Sequence, residues 1–279
     1  MLSIRNPALV FVLFLVFTTV ILAQNRYTTA DPRATLLVSE SIIQKGTIKL
    51  DHYGQEALDP YGYAVHKKNE HYYYYFPVGT SLASLPFVIA ANCIGLDMLQ
   101  SERAVQIAIA SLTSIATLLI LVKLASLFLN TKNALLVSSI FWFGTSLAST
   151  CGTALWSHNF ATIFALLAIY LPVRAVKRNQ PQPWHLVAVS IFFAYLCRPT
   201  MALLSPCVLI FMFGYSRSAA VKTGFILASL LGIFVLFSIH EFGQMLPDYY
   251  LPKRLAGGHF YDALYGNLFS PARAALSRS

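Results

Sequence analysis

Apolar residues come in blocks along this chain, and the length of each block predicts what it builds. Pro7–Ala23 is an apolar run of 17 residues behind Arg5. Secretory-signal cores run to about 7–15 residues. Although Ile21-Leu22-Ala23-Gln24 loosely resembles a cleavage site, the expectation is therefore an uncleaved first span. Six further spans are predicted over about Arg103–Leu129, Ala134–Thr150, Phe160–Val173, Trp184–Cys197, Met201–Tyr215 and Val221–His240. Several fall short of the ~20 residues that usually cross a bilayer. One more apolar stretch, Thr80–Leu96, is interrupted by Pro86, Asn92 and Gly95.

The segment Gln24–Gly79 differs in kind, with six acidic and six basic residues, three histidines and eight tyrosines. Within it, Ala34–Ile43 (ATLLVSESII) sets apolar positions at helical spacing with polar ones opposite, predicting an amphipathic helix at the membrane interface. Asp31-Pro32 supplies an N-cap and a first-turn proline, Gly46 ends the helix, and Thr47–Leu50 is extended. The expected fold class is all-α. It is a polytopic transmembrane bundle of about seven spans, with a long first extracytoplasmic loop carrying interfacial helices. One membrane domain covers 1–279: a first span (7–23), the loop (24–102), six further spans (103–240) and an extracytoplasmic tail (241–279).

Composition agrees: 57% of residues are hydrophobic and 11% charged, against about 25% charged in soluble domains. All eleven carboxylates fall in Asp31–Glu102 or Glu241–Asp262, while nine Lys or Arg lie between Glu102 and Glu241. The bases are scattered between apolar runs rather than gathered into a stripe, so nucleic acid is not an expected partner. The four cysteines match no metal or redox spacing and read as packing residues.

Charge also orients the chain. Lys123 with Lys132, Arg174 with Lys177 and Arg178, and Arg217 with Lys222 mark three turns expected in the cytoplasm, as is Arg5. Parity then forbids Thr80–Leu96 from crossing, which its proline and short length also favour, so it is expected to be re-entrant or interfacial. The chain makes seven crossings and ends outside. On this topology every carboxylate lies on the outer side, and acid–base chemistry belongs there.

Asp31, close to the outer end of the first span, suits either a general base or the N-cap. Asp51, Glu56, Asp59 and Glu70 share its loop. With His52, His66 and His71 they follow no ligand pattern, so no cofactor is expected, a divalent metal being the alternative. His71–Phe76 suits an interfacial aromatic belt, and its tyrosines also suit stacking on a sugar. Arg198, before Pro199, is an arginine at membrane depth, able to match a phosphate or to snorkel to head groups. His158 in Trp156-Ser157-His158-Asn159 is a proton carrier or an ordinary interface histidine.

In order, these features are Thr29-Ala30-Asp31, a helix ending at Gly46, Leu50-Asp51, the aromatic run into FPVGTSLASLPF (Phe76–Phe87), Gly95-Leu96 and Arg103. The order resembles the multi-spanning glycosyltransferases of the C-type membrane fold (GT-C). More narrowly, Phe76–Pro86, Ala154–Asn159, Arg198–Thr200 and Leu268–Arg273 resemble phrases of a bacterial branch of that group. The resemblance implies sugar transfer from a polyprenyl-phosphate-linked donor to an acceptor on the outer face of the bacterial cytoplasmic (inner) membrane, with membrane lipids as the surroundings. It implies Asp31 as general base; Asp51 or Glu70 are assigned as assistants, and Arg198, His158, Tyr74 and Tyr75 as substrate-binding residues. Two features depart from the pattern. Pro32 stands where many relatives carry a second acid, and the chain stops soon after Arg273 where relatives continue. The expected alternatives are a shortened, non-catalytic protein, or a transporter or flippase. The lack of acids between Glu102 and Glu241 weighs against the last.

Overall fold

The computed structural model describes residues 7–22, 31–152 and 154–251. Arg5, Thr29-Ala30, the Leu268–Arg273 phrase and the tail beyond residue 251 lie outside them. The helices are α1 (Pro7–Leu22), α2 (Thr35–Lys45), α3 (Gln55–Leu58), α4 (Gly79–Cys93), α5 (Met98–Ala125), α6 (Thr131–Gly144), α7 (Ser146–Cys151), α8 (Ser157–Lys177), α9 (Trp184–Cys197), α10 (Leu204–Tyr215) and α11 (Arg217–Phe242). Two short strands, β1 (Val65–Lys68) and β2 (His71–Tyr74), interrupt them.

Among the described residues three helices, α5, α8 and α11, are long and apolar enough to cross a membrane on their own. The others are shorter. The predicted span Ala134–Thr150 is two helices: Thr145 is extended, its hydroxyl donating to Phe141 O (2.7 Å) and accepting from Leu147 N to start α7. Outward faces of the long helices carry Leu112, Ile169, Phe225 and Leu236, the arrangement expected of helices in lipid. Inside, α1 packs on α5 through Leu9 and Val16 against Leu118 and Val122. α8, α9 and α11 share a core of Ala168, Ile191, Leu196, Leu227 and Phe234.

Helix α2 lies where its spacing predicts, but its polar side is buried in the protein rather than exposed. Polar Thr35, Ser39, Glu40 and Ser41 are as buried as Leu36, Leu37 and Val38. The helix is clasped between α4 and α5, and its polar side chains find partners there. Thr35 Oγ1 meets Ser81 Oγ at 3.0 Å and Ser39 Oγ donates to Ser81 O at 2.8 Å.

The predicted Asp31 cap is also corrected. The residue before α2 is Ala34, in a left-handed conformation (φ 66°) and without a side-chain cap. The donors of this helix start go instead to a distant carboxylate: Ala34 N to Glu102 Oε2 (3.2 Å) and Leu36 N to Glu102 Oε1 (3.1 Å). An anion there satisfies N–H groups with no partner inside the helix and meets the positive end of its dipole. Glu40 returns the service to α5, accepting from Met98 N (3.3 Å), Tyr53 Oη (2.8 Å) and the Asn92 amide (3.2 Å). With Gln106 Nε2 donating to Pro32 O, α2 and α5 run antiparallel, zipped by polar groups. Gly46 does end α2, at φ 69°.

The tyrosine run is not a wet belt. His71–Tyr74 pairs antiparallel with Val65–Lys68 around Asn69 and Glu70, both at positive φ as a tight hairpin turn requires. Tyr73 and Tyr74 are buried, and Tyr73 Oη donates to Glu241 O (3.3 Å). Lys68 Nζ reaches Asp248 Oδ2 (2.8 Å), and Tyr75 and Phe76 pack edgewise and tilted on Tyr249. The two carboxylate-bearing stretches of the sequence thus meet at one end of the bundle. The turns carrying Lys123, Arg174, Lys177, Arg217 and Lys222 are at the other ends of those helices, with Lys177 over Phe128 and Lys222 over Trp184.

Helix α4 forms straight through Pro86. It starts against the end of α9 and finishes beside α2 and the start of α5.

Candidate active site

The site is built where α8 starts and α9 stops. Arg198 ends α9 because Pro199 follows: a residue before proline is driven out of the helical region, and Arg198 is extended at φ −146°, ψ 117°. Its side chain therefore leaves the helix and turns across to α8. Helix α8 is held by Asn159, buried, whose amide donates to Thr113 Oγ1 (3.1 Å) and Cys151 O (2.9 Å). Helix α9 is held by Gly79. A Cβ there would stand 2.4 Å from Cys197 N and from Leu196 C, so only glycine lets the start of α4 lie on the α9 backbone. Tyr250 adds a bond from its hydroxyl to Leu196 O (2.7 Å).

One chain of polar contacts results. Arg198 Nη1 donates to Ser157 Oγ (3.2 Å) and lies 2.9 Å from His158 Nδ1. Arginine has no acceptor, so His158 Nδ1 accepts and the ring proton sits on Nε2. Ser157 Oγ in turn donates to Asp31 Oδ2 (2.8 Å). Tyr74 closes the other side of Asp31, its hydroxyl donating to the Asp31 carbonyl oxygen. Burial, with the charge of Asp31 added, holds the Tyr74 phenol far above its usual range, so it stays a neutral donor.

The structure thus joins four residues singled out in the sequence, Asp31, Arg198, His158 and Tyr74. Tyr75 belongs to the aromatic cluster beside them, edge-on to His66 and Tyr249. Asp51 and Glu70 engage other partners. Asp51 accepts from Tyr72 N (2.7 Å) and pairs with His71 Nδ1 (2.7 Å) in an exposed position. Glu70 sits in the hairpin turn, 88% exposed and paired with Lys67 (2.7 Å), which lowers its carboxyl pKa. Among the described residues no group of three or more His, Cys, Asp or Glu is placed to hold a metal. Cys151 and Cys197 are buried as packing residues, whereas Cys93 and Cys207 are exposed.

Ser157, Gly79, Glu40 and Glu102 are the positions that reading the sequence did not assign. Glu102 had a usable signal: a carboxylate one turn inside an apolar helix demands a partner. Ser157 had none beyond its neighbours.

A family model for dolichyl-phosphate-mannose-protein mannosyltransferase matches residues 86–240, more than half the chain. That stretch holds Ser157, His158 and Arg198 and stops short of Asp31. Comparison with curated proteins and with solved structures gave no match. With that match on a largely helical membrane bundle, the chain belongs to the dolichyl-phosphate-mannose-protein mannosyltransferase family of GT-C membrane glycosyltransferases, which draw on polyprenyl-phosphate-linked sugars.

Proposed function

We propose that this protein transfers a sugar from a polyprenyl-phosphate donor to an acceptor hydroxyl or amine at the outer face of a bacterial inner membrane, with Asp31 as general base. The observation that carries the reading is the link from Asp31 through Ser157 to Arg198, a carboxylate and a guanidinium brought together from distant parts of the chain. In the proposed step the acceptor oxygen or nitrogen attacks the sugar's anomeric carbon and Asp31 takes its proton. The bond from that carbon to the phosphate oxygen breaks, and polyprenyl phosphate leaves with the electron pair. Arg198 neutralises the phosphate charge that develops. His158, with its proton on Nε2, is a further donor toward the same group, and Tyr75 offers a ring face to the sugar.

The seven-crossing topology belongs to the same proposal. The basic ends at Lys123, Arg174, Lys177, Arg217 and Lys222 are cytoplasmic by the positive-inside bias, and Arg5 assigns the N-terminus to the same side by the same rule. The end holding Asp31 and Arg198 is then extracytoplasmic, where α4 starts and finishes.

The test is transfer of radiolabel from polyprenyl-phosphate-linked mannose out of the lipid fraction, in vesicles from cells producing the full chain. Asp31→Asn should abolish transfer with expression and melting intact. Wild-type turnover in that variant refutes Asp31 as base, and no transfer by the wild-type chain refutes the function.

A further inference from the structure

We propose that Ser157 is the positioning residue of this site: its hydroxyl bridges Asp31 and Arg198 and holds both charges facing the substrate. The inference rests on Asp31 being the base.

Ser157 stands at the first position of α8 and is 2% exposed. The directions of its bonds follow from its neighbours. Guanidinium nitrogens only donate, so the 3.2 Å contact with Arg198 uses a lone pair of Oγ, and the hydroxyl proton points to Asp31 Oδ2 at 2.8 Å. The hydroxyl stands between anion and cation. Were the two in direct contact, the guanidinium would spend its paired donors on the carboxylate rather than on a phosphate. It would also depress the carboxyl pKa by about 1–3 units, making a weaker base. Through the serine the carboxylate keeps a charge-stabilising donor, while Arg198 is steadied by Ser157 and His158 without being consumed. Asn159 and Gly79 fix the two helix ends that this geometry needs.

Among the described residues, the groups facing Asp31 include Tyr74 from the hairpin, Ser157 from the start of α8 and Cys197 from the end of α9, with Arg198 and His158 on the far side of Ser157. Ser157 can be altered at constant charge while removing a donor to the carboxylate.

The experiment follows the protonation of Asp31 in the full chain by infrared carboxyl absorption against pH, with Asp31→Asn as the subtraction, alongside mannose transfer. Removing a donor to the charged form raises a carboxyl pKa. Ser157→Ala should therefore shift the Asp31 titration and the acid limb of the transfer profile upward together. Transfer should fall roughly ten- to a hundred-fold, the weight of one hydrogen bond to a charged group. Ser157→Cys fills nearly the same volume with a weak donor and should give the same direction of shift while melting with the wild type. Ser157→Thr keeps the hydroxyl and should restore the wild-type midpoint. An unmoved Asp31 titration in Ser157→Ala and Ser157→Cys overturns the proposal, even if transfer falls, since a packing defect would do that. If Asp31→Asn still transfers, the base assignment fails and this proposal with it. If Asp31→Asn is inactive and Ser157 is neutral, only this proposal fails.

Discussion

Adding one methyl group at Gly79 tests whether the close approach of α4 to α9 positions Arg198. In Gly79→Ala the new Cβ falls 2.4 Å from Cys197 N, 2.4 Å from Leu196 C and 2.6 Å from Leu196 O. Non-bonded heavy atoms settle at about 3.5–4.0 Å, so the two helix ends must part by roughly 1 Å. Every opposing atom is backbone, and no rotamer relieves the clash. Overpacking of this kind costs about 1–3 kcal/mol. The unfolded-state gain from replacing glycine, about 0.4–1 kcal/mol, is smaller and opposite. The net effect is destabilising. The displacement passes to Arg198, the residue after Cys197, and a 1 Å misplacement at a reacting centre costs on the order of a hundred-fold in rate. Two measurements read it. Melting in detergent should fall. With Cys93 and Cys207 changed to serine, alkylation of buried Cys197 should speed up as the contact opens. Wild-type melting with unchanged alkylation would show that the helices part freely there, and the account of how Arg198 is held would be wrong.

Glu102→Leu strips the acceptors from Ala34 N and Leu36 N at a buried helix start, and each unpartnered donor costs about 1–3 kcal/mol. It should lower melting markedly, Glu102→Gln less so because one oxygen remains; equal melting of Glu102→Leu and wild type refutes the cap. Burial holds the His66 imidazole below its ordinary 6.5, with Lys68 adding to the shift and Asp248 opposing it. The unfolded chain then takes up that proton first, so stability is full above pH 6.5 and is lost as pH falls through the folded value. Melting followed from pH 7.5 to about 5 should decline less steeply in His66→Phe than in wild type. A maleimide that cannot cross membranes should label native Cys93 and Asn69→Cys from one side and Lys177→Cys from the other; labelling of Cys93 with Lys177→Cys would refute a returning α4.

Much of the architecture was legible because lipid imposes length. Trp184–Cys197 was readable to the residue, since Pro183 and Pro199 bracket an unbroken apolar run. The common end of the two acidic stretches followed from charge parity, and Lys68–Asp248 meets there. Periodicity placed α2 but could not tell that its polar side is buried, because a helix with a wet polar face and a buried helix whose polar groups are bonded present the same sequence. Only the presence of α4 and α5 on both sides distinguishes them. The strand pairing of His71–Tyr74 was hidden because tyrosines suit a strand, a membrane interface and a sugar site alike.

By itself the sequence determined that the chain is a helical membrane bundle whose carboxylates fall in two stretches outside the long apolar blocks, because burying charge in lipid costs too much to scatter it. It also nominated Asp31, His158 and Arg198. Only the tertiary structure decided that one serine hydroxyl joins Asp31 and Arg198 while His158 steadies the arginine, and that the donors at the start of α2 go to Glu102. Hydrogen bonds across such separations depend on how helix ends meet, and that is set by contacts such as Gly79 on the α9 backbone, which leave no periodic trace along the chain.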